Sequence, residues 1–512
     1  MLCTGLFCRH VHRASTTMLT KRIDVFLNGF VIALLCATAW FWSGLRIAYY
    51  PYFSAAALFL LLTLAWLWLK AFFRQQDTAP SRSGFDSIFF IGFVFLAYAG
   101  IQAWNAGRSL YLDEEKLEWV YTLPPHPNLP SAFNQGEATR LMSWFFVAWV
   151  LTLTIRFLIR HGNPSYWKRS LFAIILNADM LVCFGLYTFF VTPGHMFGVV
   201  RVNHNFFSTF PYTNHAAAFF TMIAALAAGL LITEILTRTA PSHTWHRLRL
   251  LFLSVSLFLC VVGANFSLSR AGIILAWGLT AITAIYMLRK TWRTLHPAAR
   301  VNLSAASLAA VAIFYFFISG FGAEHIQNEF KVSKQPVMQL IPPLASINLD
   351  LTVRPALWRA GWEVFRANWL YGTGGWGFRY AAATHVPREE WDRVIVGAGR
   401  ANVHNDPIQF LSEFGVIGNA FLLIGLGILI YPVCNRNAFQ HPMIFMMGLG
   451  LFLVYIFGLI DLPYRCPAIM WAWIVLLAWL PGLQKGFLRE TKLRKKHRYK
   501  ANPWIQIPPP VT

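Results

Sequence analysis

The chain has 512 residues, of which 57% are hydrophobic, 16% aromatic and only 12% charged, and its mean hydropathy is +0.50. Soluble domains carry about 25% charged residues, so the composition excludes a soluble globular protein and indicates an integral membrane one. The formal net charge of +22 points to no nucleic-acid partner, because the basic residues lie between apolar runs and at the tail, as the positive-inside bias of membrane proteins places them.

Residues 1–24 hold Arg9, His10, His12, Arg13, Lys21 and Arg22 and lack a long apolar core. They read as a cytoplasmic segment rather than a cleavable signal peptide, and Met18 serves as a start as well as Met1 does. A spanning helix needs about 20 mostly apolar residues. Twelve stretches qualify, near 25–44, 52–71, 86–104, 140–159, 170–192, 215–236, 248–266, 271–288, 302–320, 408–431, 443–460 and 467–483. The expected fold is therefore an all-α polytopic membrane protein with about 12 transmembrane helices. Nine fall in residues 25–320 and three in 408–483, followed by a basic cytoplasmic tail, 484–512. With both termini inside, the short loops carrying Lys70 and Arg74, Arg156 and Arg160, Arg238 and Arg247, and Arg289 and Lys290 all fall on the cytoplasmic side. The tail suits contact with anionic membrane lipid. Arg46, Arg108 and Arg465 run against the bias.

One long outer loop, 321–407, interrupts the spans. It is rich in tryptophan, and "RPALWRAGWEVFRANWLYG" places Leu357, Trp358, Gly361, Trp362 and Phe365 at helical spacing. An amphipathic helix lying on the membrane surface or capping a cavity is expected there. The seven cysteines show neither metal-ligand spacing nor a disulfide framework, and no metal or cofactor is expected.

With this topology, polar groups gather on the outer side. "TNHAAAFF" brings Asn214 and His215 and follows Arg201 and His204; "FSLSRAGI" brings Arg270; the long loop brings Arg354; "NVHNDP" brings His404 and Asn405. Asp406 suits a helix N-cap and Pro407 a first helical position. Helix N-termini and arginines suit phosphate oxygens, and an imidazole, ordinarily titrating near 6.5, can take a proton from a hydroxyl. These parts fit displacement of a diphosphate from an anomeric carbon by an acceptor hydroxyl. The plainer readings are that His404 caps a helix, that Arg270 and Arg201 anchor at the interface, that His204 and His215 bond locally, and that Glu413, two turns into its span, pairs with an inward arginine. Asp179 and Asp461 have no nameable partner.

"HNDPIQFLSEFGVIG" resembles the His-Asn, nine residues, Gly-x-x-Gly pattern of the O-antigen ligase and polymerase superfamily of bacterial envelope glycan transferases. "SLSRAG" is similar to its Ser-x-Ser-Arg-x-Gly element, and Arg201 with "TNHAAAFF" to its Arg- and Asn-bearing approach to a span. The resemblance implies metal-independent glycan transfer from an undecaprenyl diphosphate-linked donor on the periplasmic face of the inner membrane. The acceptor it implies is lipid A-core in a ligase, a glycan in a polymerase, or a protein hydroxyl in a third branch, which the short C-terminal tail disfavours. It implies catalytic roles for His404, Arg270 and Arg201, with Arg354, His215, Asn214 and Asn405 binding substrate. A transporter for a lipid-linked anion is the competing class. It predicts inverted repeats and helices broken at mid-membrane, and neither is evident in the sequence.

Overall fold

The computed structural model describes residues 4–74, 87–108, 110–113, 118–161, 164–202, 206–236, 244–292, 354–386, 402–434 and 440–501. Among them, ten helices are long and apolar enough to cross a membrane, and Pro442–Gly458 is a shorter apolar helix. These match eleven of the twelve expected spans; the stretch 302–320 lies outside the described residues, as do 321–353 and 387–401 of the long loop. The chain is thus an all-α, multi-pass membrane protein.

The helices are α1 (Thr4–Trp40), α2 (Tyr50–Arg74), α3 (Ser87–Trp104), α4 (Gln135–His161), α5 (Pro164–Phe190), α6 (Thr213–Leu236), α7 (Thr244–Phe266), α8 (Arg270–Trp292), α9 (Arg354–Ala367), α10 (Phe378–Ala381), α11 (Asp406–Ile430), α12 (Pro442–Gly458) and α13 (Pro467–Ala501). Prolines open α5, α12 and α13, where the missing N–H costs nothing. Two small antiparallel pairs interrupt the helical pattern. Leu110–Asp113 (β1) faces Glu118–Tyr121 (β2), and His195–Met196 (β3) faces Val200–Arg201 (β4).

Helix α6 is the central post. It is buried along its length, and its alanines and glycines let neighbours approach closely, the usual basis of helix association in lipid. A Cβ on Gly272 of α8 would lie 2.1 Å from the Ala217 methyl, and one on Gly450 of α12 would lie 2.6 Å from that of Ala225.

Helix α11 departs from expectation, because the span is broken. At Gly415 the backbone takes φ 58° and ψ −168°, a conformation open essentially to glycine. The break lies nine residues into the helix, roughly 13 Å at the helical rise. Backbone groups freed at such a depth must find protein partners, and the chain after α9 supplies them. The N–H of Thr373 donates to Ser412 O at 2.9 Å and that of Gly374 to Glu413 O at 2.8 Å, while Val416 N–H donates to Trp369 O at 2.8 Å. The Tyr98 hydroxyl donates to Phe414 O at 2.9 Å. Segment 369–374 therefore acts as a splint across the break. A Cβ on Gly415 would stand 2.4 Å from Leu370 O. Gly415→Ala should lose about 3 kcal/mol or more of stability, read as a fall in the thermal midpoint of the detergent-solubilised protein. Gly427→Ala, in open space on the same helix, should lose none.

Helix α9 is the amphipathic helix expected in the long loop. It caps the bundle: Leu357, Ala360, Gly361 and Val364 are buried in a cluster with Val403 and Phe378, against Ile408 of α11. Trp362 and Trp369 are exposed.

Candidate active site

The segment between α12 and α13, Leu459–Cys466, organises the end of the bundle where α9 sits. Its Asp461, 1% exposed, collects four side chains from three other places. Its Oδ1 takes His404 Nδ1 at 3.2 Å and its own loop's Leu462 N–H at 2.8 Å. Its Oδ2 accepts from the Tyr212 hydroxyl at 3.0 Å and from the Asn214 amide, and Arg354 Nη2 lies 3.8 Å away. Burial alone would raise the Asp461 carboxyl, but the His404 hydrogen bond and charge, then Arg354, hold it down at about 2. It is a carboxylate at neutral pH. A carboxylate only accepts, so His404 donates through Nδ1, and Nε2 is the ring nitrogen turned away from Asp461.

His404 sits just ahead of α11 in left-handed backbone, φ 52°, a costly conformation for a residue with a side chain. Trp358 of α9 steadies it by donating to its carbonyl at 3.2 Å. Its side chain remains 26% exposed, so the ring is held at one nitrogen and reachable at the other. The cap of α11 is Asn405 rather than Asp406: Asn405 Oδ1 accepts from Ile408 N–H at 3.0 Å and its amide donates to Leu459 O at 2.8 Å. Asp406 is buried, and its Oδ2 accepts from Tyr464 N–H at 3.1 Å.

Four helix N-termini converge here: α6 through Asn214, α9 through Arg354, α11 through His404, and α8 through Ser269, whose hydroxyl donates to Asn214 Oδ1 at 2.6 Å. Each carries partial positive charge. Leu268, in left-handed backbone at φ 60°, turns the chain from α7 into α8 and delivers Ser269 and then Arg270, which is half-buried at the head of α8. Arg354 also donates to Ile460 O at 2.6 Å. Burial, and then Asp461, push the Tyr212 phenol well above its usual range, so it stays a donor.

Of the seven residues singled out in the sequence, the structure links His404, Arg354 and Asn214 directly through Asp461. His215 is joined by Nε2 to Leu462 O at 3.1 Å, Asn405 through Leu459, and Arg270 by its adjacency to Ser269. Arg201 ends β4 with an exposed side chain, outside the hydrogen-bonded group; His204 lies outside the described residues. Sequence reasoning missed Asp461 and Tyr212. The available signal was an acid between two spans, followed by Pro463 and Pro467, at the end where the arginines gather. Asp179, likewise without a partner on sequence grounds, accepts from Ser256 at 2.6 Å inside the bundle. Glu413 has the arginine partner expected of it, Arg465, at 2.6 Å.

Beneath the Asp461 loop an apolar cavity of about 410 Å³ opens between α3, α4, α11 and α13, with Phe95, Phe145, Phe410 and Trp473 in its walls and Asp406 and Tyr464 at its polar end. Among the described residues no three His, Cys, Asp or Glu side chains are grouped as metal ligands would be. The arrangement can therefore hold an anion at converging helix ends, withdraw a proton at His404, and accommodate an apolar chain alongside.

Residues 255–423 match a protein family described as O-antigen ligase. The match supports the O-antigen ligase and polymerase superfamily for this chain, and with it glycan transfer of that general type. It takes in Arg270, Arg354, His404 and the broken span, while Asp461 lies beyond it. No protein of curated function matches the chain.

Proposed function

We propose, on the premise of that family match, that the protein transfers a glycan from undecaprenyl diphosphate to an acceptor hydroxyl at the periplasmic face of a bacterial inner membrane, and that the acceptor is lipid A-core. The observation that carries this is the meeting of four helix N-termini and Arg354 around a histidine whose Nδ1 is fixed by a buried carboxylate. The acceptor hydroxyl oxygen attacks the anomeric carbon. The bond from that carbon to the diphosphate oxygen breaks, and its electron pair leaves with the diphosphate. His404 Nε2 takes the hydroxyl proton. The charge gained by the leaving diphosphate is met by Arg270, Arg354 and the helix ends, with Arg201 reaching it from the water side. Holding both substrates at one membrane surface supplies the proximity term. The apolar cavity suits the donor's isoprenoid chain, with its polar end toward the diphosphate.

Asp461 acts as the positioning residue for His404. Asp461→Asn keeps the shape but loses the charge that fixes the ring, and turnover should fall about 10- to 100-fold with donor affinity within a factor of two or so. The measurement is single-turnover transfer beside donor binding; unchanged turnover would sink the pairing.

The reaction is tested in proteoliposomes supplied with an undecaprenyl diphosphate glycan, a chelator, and either lipid A-core or no second acceptor. Attachment to lipid A-core is the expected result. Lengthening of the lipid-linked glycan instead would make the protein a polymerase, and export of intact donor without transfer would make it a transporter.

A further inference from the structure

Three guanidinium groups from distant parts of the chain surround the ring of Trp376. Arg379 lies 4.4 Å from its centroid, Arg465 4.8 Å and Arg140 5.4 Å. Two carboxylates face them. Glu413 binds Arg465 at 2.6 Å and accepts from Gln409. Glu137 binds Arg379 at 2.9 Å, accepts from the Tyr380 hydroxyl at 3.1 Å and stands 3.9 Å from Arg140. Among the described residues these two acids pair with the three guanidinium groups, and Asp406 also lies within reach of the Arg465 charge. Hydrogen-bond donors are left over: Nε and Nη1 of Arg465, Nε of Arg140 and Arg379, and the Trp376 indole N–H are buried without a partner among the described residues. Arg465 is only 2% exposed.

Buried donors without acceptors are costly. Contact with the indole face offsets part of the charge but engages none of those N–H groups. An oxyanion would engage them, since guanidinium forks match phosphate and carboxylate geometry. Arg140 and Arg379 keep 17% and 12% of their side-chain surface open, so the cluster is reachable from water.

We propose that Arg140, Arg379 and Arg465 around Trp376 form a second oxyanion subsite, which takes a phosphate or carboxylate group on the acceptor glycan. The same short loop supplies Asp461 to the His404 group and Arg465 to this one. They stand four positions apart, at most about 14 Å of chain, so an acceptor anchored here lies within a few sugars of the attacked carbon. The identity of the occupant rests on the proposed transfer reaction; the existence of the site does not.

The test therefore has two arms. In nanodiscs of zwitterionic lipid, inorganic phosphate should raise the thermal midpoint of the wild type and of His404→Ala, and fail to raise that of the double variant Arg140→Gln/Arg379→Gln. That variant leaves the Arg465–Glu413 pair in place; Arg140→Lys/Arg379→Lys, which keeps charge and loses the fork, should respond weakly. No response in the wild type, or a full response in the Gln double variant, overturns the site. A phosphate response that vanishes in anionic-lipid nanodiscs assigns the site to a headgroup and overturns the acceptor assignment. In the kinetic arm, the Gln double variant should raise KM for a phosphorylated acceptor about tenfold, leave donor KM unchanged, and match wild type on a dephosphorylated acceptor. A raised donor KM instead overturns the acceptor assignment. Should the wild type catalyse no transfer, the reaction fails while the phosphate arm still decides the site.

Discussion

Replacing His404 by alanine is expected to lower glycan transfer by about 10²- to 10⁴-fold while the donor still binds. The magnitude is that of a positioned general base, and the geometry gives the reason. The ring is tethered at Nδ1 by Asp461 and its backbone is braced by Trp358, so Nε2 holds one direction without further ordering when substrate arrives. Alanine removes the proton acceptor. It leaves in place Arg270, Arg354 and the four helix N-termini, the groups that meet the diphosphate. Single-turnover transfer should collapse and donor affinity should stay within a few-fold of wild type. A variant with near-normal turnover would remove the general-base role, and one that loses donor binding along with turnover would make His404 a donor contact instead.

Replacing Glu413 by alanine is expected to cost about 3–5 kcal/mol of stability. Glu413 is fully buried, and Arg465, its partner, is 2% exposed. Deleting one member of a buried pair strands the other's charge in a low-dielectric interior. Here it also removes the acceptor of the Gln409 amide, next to the break at Gly415. Glu413→Gln keeps a hydrogen-bond acceptor and loses only the charge, so it should fall between wild type and alanine. Thermal unfolding in detergent, with folded yield alongside, reads the order. A Glu413→Ala protein within about 1 kcal/mol of wild type would mean that water already screens the pair.

The helices and their polar ends were legible in the sequence because lipid enforces a simple rule: about 20 apolar residues per crossing, with charges placed outside. Local turn chemistry was legible too, as in "SLSRAG", where Ser267 and Ser269 separate two spans. Three things were not. The break in α11 leaves no composition signal, since Gly415 is one of several glycines in an apolar run, and only the splint 369–374, distant in sequence, makes the break tolerable. The cap shifted from Asp406 to Asn405 because Asp406 is drawn inward to Tyr464. The importance of Asp461 depends on four segments meeting, a long-range fact that spacing along one chain does not encode. The broken span also removes one argument against a transporter. Its freed backbone groups, however, are taken up by protein hydrogen bonds rather than turned toward a mid-membrane ion, which is what transporters require of such breaks.

Where the donor docks decides the assignment of this site, and photocapture reads that most directly. A donor with a photoreactive group on its first sugar, activated in proteoliposomes and mapped by mass spectrometry, should label residues 402–406, 459–465 and the start of α9, with labelling competed by unmodified donor. Competed labelling at the opposite helix ends, near 244–250 or 431–434, and none around Asp461 would contradict it.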